Sequence, residues 1–180
     1  MERRNSLNYL YLITIVSFLI GLLTCKKETC NYKIYCISNI FTIVSIFLNN
    51  PFFTIITPIV ISQSIIDFKK LELSDVNNIT IAILGIFYSI LNGFDYKAFI
   101  FISLFFIIVY ILPFSSLGFG DVKYAIAISF FIKYNMVNSF IFYSLFIVLF
   151  IGIFYRIVKK QKECPMGPAI GITALLLLLI

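Results

Sequence analysis

Two aspartates, Asp67 and Asp121, stand at the ends of long apolar runs. Asp67 closes the run from Pro51 to Ile66; Asp121 follows a run ending at Phe114 and the phrase Gly118-Phe119-Gly120. A carboxylate at the edge of hydrocarbon is costly, so it faces a protein interior or a watery cavity and usually has a task there. Two such groups in matching positions can meet across a helix bundle, although 54 residues separate them (121 − 67). Carboxyl groups that close cannot both ionise cheaply, so they share a proton. The ionised one can then take a proton from water while the other hydrogen-bonds a carbonyl, and together they hydrolyse a peptide bond. Buried carboxylates also serve proton relays, so position alone leaves a peptidase and a small transporter or proton channel both open.

The elements that must hold this pair are membrane helices. Of the 180 residues, 61% are hydrophobic and 12% charged, against about 25% charged in a soluble domain. Polar breaks leave apolar segments at about 8–24, 34–48, 51–66, 78–93, 98–114, 122–134, 137–155 and 165–180. Several are shorter than the ~17–25 residues of a full span. The expected fold is an all-α, polytopic transmembrane bundle of seven to eight spans. Residues 1–33 form a first span and short loop, and residues 34–180 form the membrane domain. Leu22-Leu23-Thr24-Cys25-Lys26 lacks the small residues of a signal cleavage site, so the first span is expected to be retained.

Charge orients the bundle. With the N-terminus outside, ten of the fourteen basic residues fall on inside loops. They are Lys26, Lys27, Lys33, Lys69, Lys70, Lys123, Arg156, Lys159, Lys160 and Lys162. That bias satisfies the positive-inside rule, Arg3 and Arg4 being its clear violation. It places Asp67 and Asp121 together at the cytoplasmic face. It also accounts for the net charge of +6 without a nucleic-acid partner. The chain has no histidine, which removes Ser-His and Cys-His catalysis and His-ligated metals. Cys25, Cys30, Cys36 and Cys164 contain no C-x-x-C pair, so neither a metal nor an organic cofactor is expected.

Three ordered motifs add to this reading. Gly118-Phe119-Gly120-Asp121-Val122-Lys123 resembles the G-x-G-D-x-K motif of the prepilin peptidases, or type IV leader peptidases. Ile66-Asp67 through Asp75 is similar to that family's I-D…L-P-D segment, with the same eight-residue step and Ser74 where Pro is usual. Pro165-Met166-Gly167-Pro168 resembles the P-F-G-P motif that opens the last span, with Met166 in place of Phe. The resemblance covers about residues 34–180. It implies a membrane aspartic endopeptidase of the GxGD kind, with Asp67 and Asp121 catalytic. Gly118, Gly120, Lys123, Asp75, Pro165, Gly167 and Pro168 would be supporting residues. The implied substrate is a prepilin or pseudopilin precursor in the lipid bilayer: a short basic leader, a Gly, then a hydrophobic helix. Cleavage would follow the Gly on the cytoplasmic side. The nearest alternative is another GxGD-type protease acting on other signal peptides or transmembrane helices.

The sequence departs from longer family members between residues 24 and 35, where these carry a cysteine-rich insert associated with N-methylation. Here the stretch is short and Cys25 and Cys30 have the wrong spacing, so a peptidase-only form is expected. Several local expectations follow. Gly118 and Gly120 should allow positive φ and close backbone approach. Ser74 or Asp75 should cap a helix. Lys123 should meet either the carboxylate pair or lipid headgroups, and Tyr96 and Tyr155 should anchor at the interface. Asp67, at the C-terminal end of its span, should hold the shared proton, because the helix dipole there disfavours an anion.

Overall fold

The computed structural model describes residues 2–29, 33, 35, 36, 39, 51–112, 117–160 and 163–179. Within them all regular structure is helical, in seven α-helices. These are α1 (Glu2–Thr29), α2 (Pro51–Lys70), α3 (Asp75–Asn92), α4 (Tyr96–Ile111), α5 (Phe119–Ser129), α6 (Val137–Phe154) and α7 (Gly167–Leu179). A 3₁₀ turn at Tyr134–Met136 leads into α6 and a π-helical turn at Tyr155–Lys159 leads out of it.

Three helical stretches are long and apolar enough to cross a membrane: Phe52–Lys70, Asp75–Asn92 and Tyr134–Val158. Tyr96–Ile111 and Gly167–Leu179 are shorter apolar helices. The α6 surface shows what solvent these faces meet. Phe142, Phe146, Phe150 and Phe154, spaced four apart, are all exposed, and successive rings touch as far as Phe150. An outward aromatic stripe of that length is lipid-facing, since water would not tolerate it.

The count of eight spans is not reproduced. Of the expected segment 34–48 all but residues 35, 36 and 39 lie outside the described residues. The expected span at 122–134 is instead the 11-residue α5, closed by a turn at Phe130–Phe131. At 1.5 Å per residue it is about 16 Å long, roughly half the hydrocarbon thickness. Length in the apolar run therefore did not translate into one helix: Lys133 and Tyr134 start a new element.

The short α5 is the centre of the bundle. It packs against α3, α4 and α7, while α2 packs along α1 and α7. The core they share includes Ile59, Val60, Ile81, Ile102, Tyr124 and Ile128. A buried polar layer ties α1, α2 and α3 together. Thr24 Oγ1 lies 3.0 Å from Ser62 Oγ, which also donates to the Gly21 carbonyl at 2.9 Å and accepts from Asn77 Nδ2 at 3.2 Å. Such contacts fix which helix faces meet where apolar burial alone does not discriminate.

Helix ends then decide where the charged residues gather. α2 stops after Lys69 and Lys70, which complement its C-terminal dipole. Leu71 turns the chain in the left-handed region (φ 56°), its N–H reaching the Asp67 carbonyl at 2.9 Å. A side chain there costs about 1–2 kcal/mol. The tight reversal brings Leu73 and the start of α3 back over the end of α2. At the opposite end of the bundle, Asp95 caps α4 through the Ala98 N–H and also accepts from the Tyr134 N–H at 2.8 Å.

Candidate active site

Asp67 sits one turn before the end of α2 and is only 2% exposed. Its Oδ2 accepts a 2.7 Å hydrogen bond from the Gly167 N–H, the first residue of α7. The Pro165-Met166-Gly167-Pro168 segment makes this bond possible. Pro168 needs no donor in a first helical turn, and the N–H groups of Ala169 and Ile170 turn back to Met166. The Gly167 N–H is left free for the carboxylate. Residue 167 must also be glycine for space: a Cβ there would lie 2.8 Å from Asp67 Oδ2 and 2.7 Å from Leu73 Cδ2.

Asp121 is the third residue of α5, and its Oδ2 accepts from the Gly118 N–H at 3.1 Å. The helix N-terminus thus holds its own acid in a capping arrangement, the electrostatically favoured place for an anion. Gly118 and Gly120 do not use positive φ. Gly118 is extended (φ −77°, ψ 150°), and among the described residues Gly93 is the glycine with positive φ. Their reason is room: a Cβ on Gly118 would stand 3.2 Å from Asp121 Oδ2, and one on Gly120 would stand 3.3 Å from Leu73 Cβ.

One cavity of about 350 Å³ gathers these parts. Asp67, Asp75, Gly118, Gly120, Asp121 and Lys123 line it together with Leu71, Glu72, Leu73 and Phe119. The two aspartates, 54 positions apart in the chain, are near enough for their charges to act on each other. Counting the lining gives four carboxyl groups against one ammonium, so the cavity is electronegative and suited to a cationic segment.

Lys123 does not meet the carboxylate pair. Its Nζ pairs with Asp75 Oδ1 at 2.9 Å, across from α5 to α3, and sits 5.1 Å from the centroid of the Phe119 ring. Ser74 occupies the N-cap position of α3, but its side chain makes no capping bond; Asp75 is the first helical residue and its carboxylate serves Lys123 instead. Tyr96 is exposed as an anchor should be. Tyr155 is not: it is buried and its hydroxyl donates to the Phe68 carbonyl at 3.3 Å, joining the end of α6 to the end of α2. The dipole argument for Asp67 is incomplete too, because Asp67 also faces the N-terminus of α7, which offsets that of its own helix end.

Leu73 and Tyr124 were missed by sequence reasoning. Leu73 wedges between α5 at Gly120 and α7 at Gly167. Its signal was an apolar residue inside the polar break Lys69–Asp75. Tyr124 lies one turn beyond Asp121, fully buried, and its hydroxyl fills the place where a Cβ on Gly171 would stand. Only the i, i+3 spacing from Asp121 hinted at it. Pro165 and Pro168 are buried beside Gly167.

Comparison with known proteins bears on what this cavity is. The model of the type IV leader peptidase family matches residues 52–155, more than half of the chain. The chain belongs to the type IV leader peptidase family. That family is membrane-embedded, is made of peptidases and acts on prepilin-like substrates. The matched region contains both Asp67 and Asp121, while the Pro165–Pro168 segment lies beyond it. No curated protein and no solved structure matches the chain.

Proposed function

We propose that the chain is a membrane aspartic endopeptidase that removes the leader of type IV prepilin-like or pseudopilin precursors, cutting after a Gly at the cytoplasmic face. The observation that carries this reading is the meeting of Asp67 and Asp121 in one electronegative cavity, each with a backbone N–H on one oxygen. Asp121, held at a helix N-terminus, is the base. It takes a proton from water as the oxygen attacks the scissile carbonyl carbon. Asp67, the more enclosed, hands its proton to the carbonyl oxygen. The tetrahedral intermediate then collapses, the amide nitrogen leaves as an amine with a proton from the pair, and the carboxyl product departs. The proton count closes and no cofactor is needed.

Glycine at the cut fits the same geometry. The scissile bond must run extended between two carboxyl groups, and a side chain or an intact helix would crowd them. The four-to-one excess of acids along the lining favours a basic leader. The charge bias puts Lys69, Lys70, Lys123 and Arg156 on the cytoplasmic side.

The test uses a precursor with a basic leader, a Gly at the cut and one apolar helix, co-expressed in the same membrane. Asp67→Asn and Asp121→Asn should each abolish the gel shift while still inserting. Gly→Ala before the cut should slow cleavage strongly; indifference would favour a GxGD protease of other specificity. Retained cleavage in either Asn variant refutes the two-carboxylate mechanism. Proton flux without cleavage would favour a transporter.

A further inference from the structure

The active-site cavity does not end at the Asp75–Lys123 pair. A second cavity, about 480 Å³, runs on from it between α3 and α5, and both members of the pair line both spaces. Its walls are Asn78, Ile79 and Ala82 from α3, with Ile126 and Ala127 from α5 and Phe130 just past its end. On each helix these positions fall on one face, at three- to four-residue steps from Asp75 or Lys123. The groove therefore follows the two helices for about two turns, ~10 Å, away from the carboxylates and along the bundle.

Three features describe what would fit. Beyond the Asp75–Lys123 pair the lining is apolar except for Asn78, and Ile79 on its lip is exposed, so the groove opens towards lipid. Ala82 and Ala127 keep it shallow enough for a helix to approach closely, as small residues do at helix contacts in membranes. Asn78 is buried, and its Nδ2 has no hydrogen-bond partner among the described residues. A free amide donor at that depth needs an acceptor.

We propose that this groove seats the apolar segment of the substrate that follows the scissile bond, with the Asn78 amide donating to a substrate backbone carbonyl close to the cut. The inference rests on the peptidase reading above and adds to it where the substrate's helix lies. A bond drawn out between Asp67 and Asp121 must be followed by a few extended residues, whose carbonyls have no intrahelical donor. Asn78 stands one turn beyond Asp75 on the path those residues would take. Other apolar hollows among the described residues compete for a helix, such as one lined by Ile100, Leu104 and Ile108 and one lined by Phe150 and Phe154. Neither shares a residue with the active-site cavity.

Two measurements test it on the full chain in membranes, with the same basic-leader precursor. First, a photo-reactive benzophenone side chain replaces Ile79, Leu104 or Phe150 in the Asp121→Asn background, which binds without cutting. Cross-links from position 79 to the first turns of the substrate's apolar helix are expected, with background levels from 104 and 150. Preferential capture at 104 or 150 overturns the proposal. Second, Ala82→Leu fills the groove. The ratio of kcat/KM for the precursor to that for a short peptide with the same leader and cut, but no helix, should fall at least tenfold. An unchanged ratio, whether both rates hold or both fall together, overturns the groove and leaves the peptidase standing. A wild-type chain that cuts neither substrate refutes the peptidase reading itself.

Discussion

Gly167→Ala is the sharpest perturbation the site offers. The new methyl would start 2.8 Å from Asp67 Oδ2 and 2.7 Å from Leu73 Cδ2. Ordinary contact begins near 3.4 Å, so the carboxylate must retreat by about 0.6 Å. Burial leaves Asp67 little room, and retreat stretches the 2.7 Å bond from the Gly167 N–H. A hydrogen bond to a charged group contributes about 1.5–3 kcal/mol, which is roughly tenfold to 150-fold in rate if lost at the transition state. Misplacement of a reacting group by ~1 Å has a comparable cost. Cleavage of the basic-leader precursor by purified, reconstituted enzyme should therefore drop about a hundredfold in kcat/KM. Gly152→Ala is the matched control. Among the described residues its methyl would meet Cys164 Sγ, at a comfortable 3.7 Å, and its rate should stay within twofold of wild type. Gly167→Ala cutting at nearly the wild-type rate would refute the claim that this glycine holds Asp67 in place.

Gly120→Ala presses on Leu73 Cβ at 3.3 Å; it should slow cleavage severalfold, and adding Leu73→Gly, which removes that Cβ, should restore part of the loss, measured as a double-mutant cycle. Gly171→Ala would place a methyl 2.6 Å from both Tyr124 Oη and Val60 Cγ1, and overpacking should destabilise the bundle by about 1–3 kcal/mol in a thermal melt. Lys123→Met breaks an ion pair whose side chains are 42% and 67% exposed, so stability should change by no more than about 1 kcal/mol. Asp95 is held below the usual carboxylate range by the Tyr134 N–H first and by the Ala98 N–H as well, against partial burial. Its folded value lies below the unfolded ~3.9, so its contribution is complete above that pH and fades as acid titrates it in the folded state. Thermal stability should fall below about pH 4, and Asp95→Asn should flatten that limb.

The acid pair was legible because each aspartate ends an apolar run, and hydrocarbon makes a stray carboxylate conspicuous. Of the two reasons expected for Gly118 and Gly120, close approach holds and positive φ does not. Positive φ is a local property, whereas the crowding at Gly120 and Gly167 comes from Leu73, which no local rule connects to either. The partner of Lys123 was not legible: it is Asp75, 48 positions away on another helix, and no local spacing distinguishes that acid from Asp67. Tyr155 carried an interfacial signature, yet the π turn after α6 buries it against Phe68. Helix lengths were least legible. The apolar run around residues 122–134 contains no proline or glycine to mark the turn at Phe130–Phe131, so only packing determines that α5 stops there.

That early stop bears on supply as much as on shape. Hydrolysis consumes one water per turnover, and hydrocarbon delivers almost none. A central rod of about 16 Å, packed against the longer α3 and α4, cannot reach both leaflet boundaries at once. Where membrane pinches inward beside it, or solvent fills the shortfall, at the end bearing Asp121, the path of water to that carboxylate shortens. Turnover in vesicles should accordingly decline as lipid tails lengthen, since every added methylene deepens the dry layer that water has to breach.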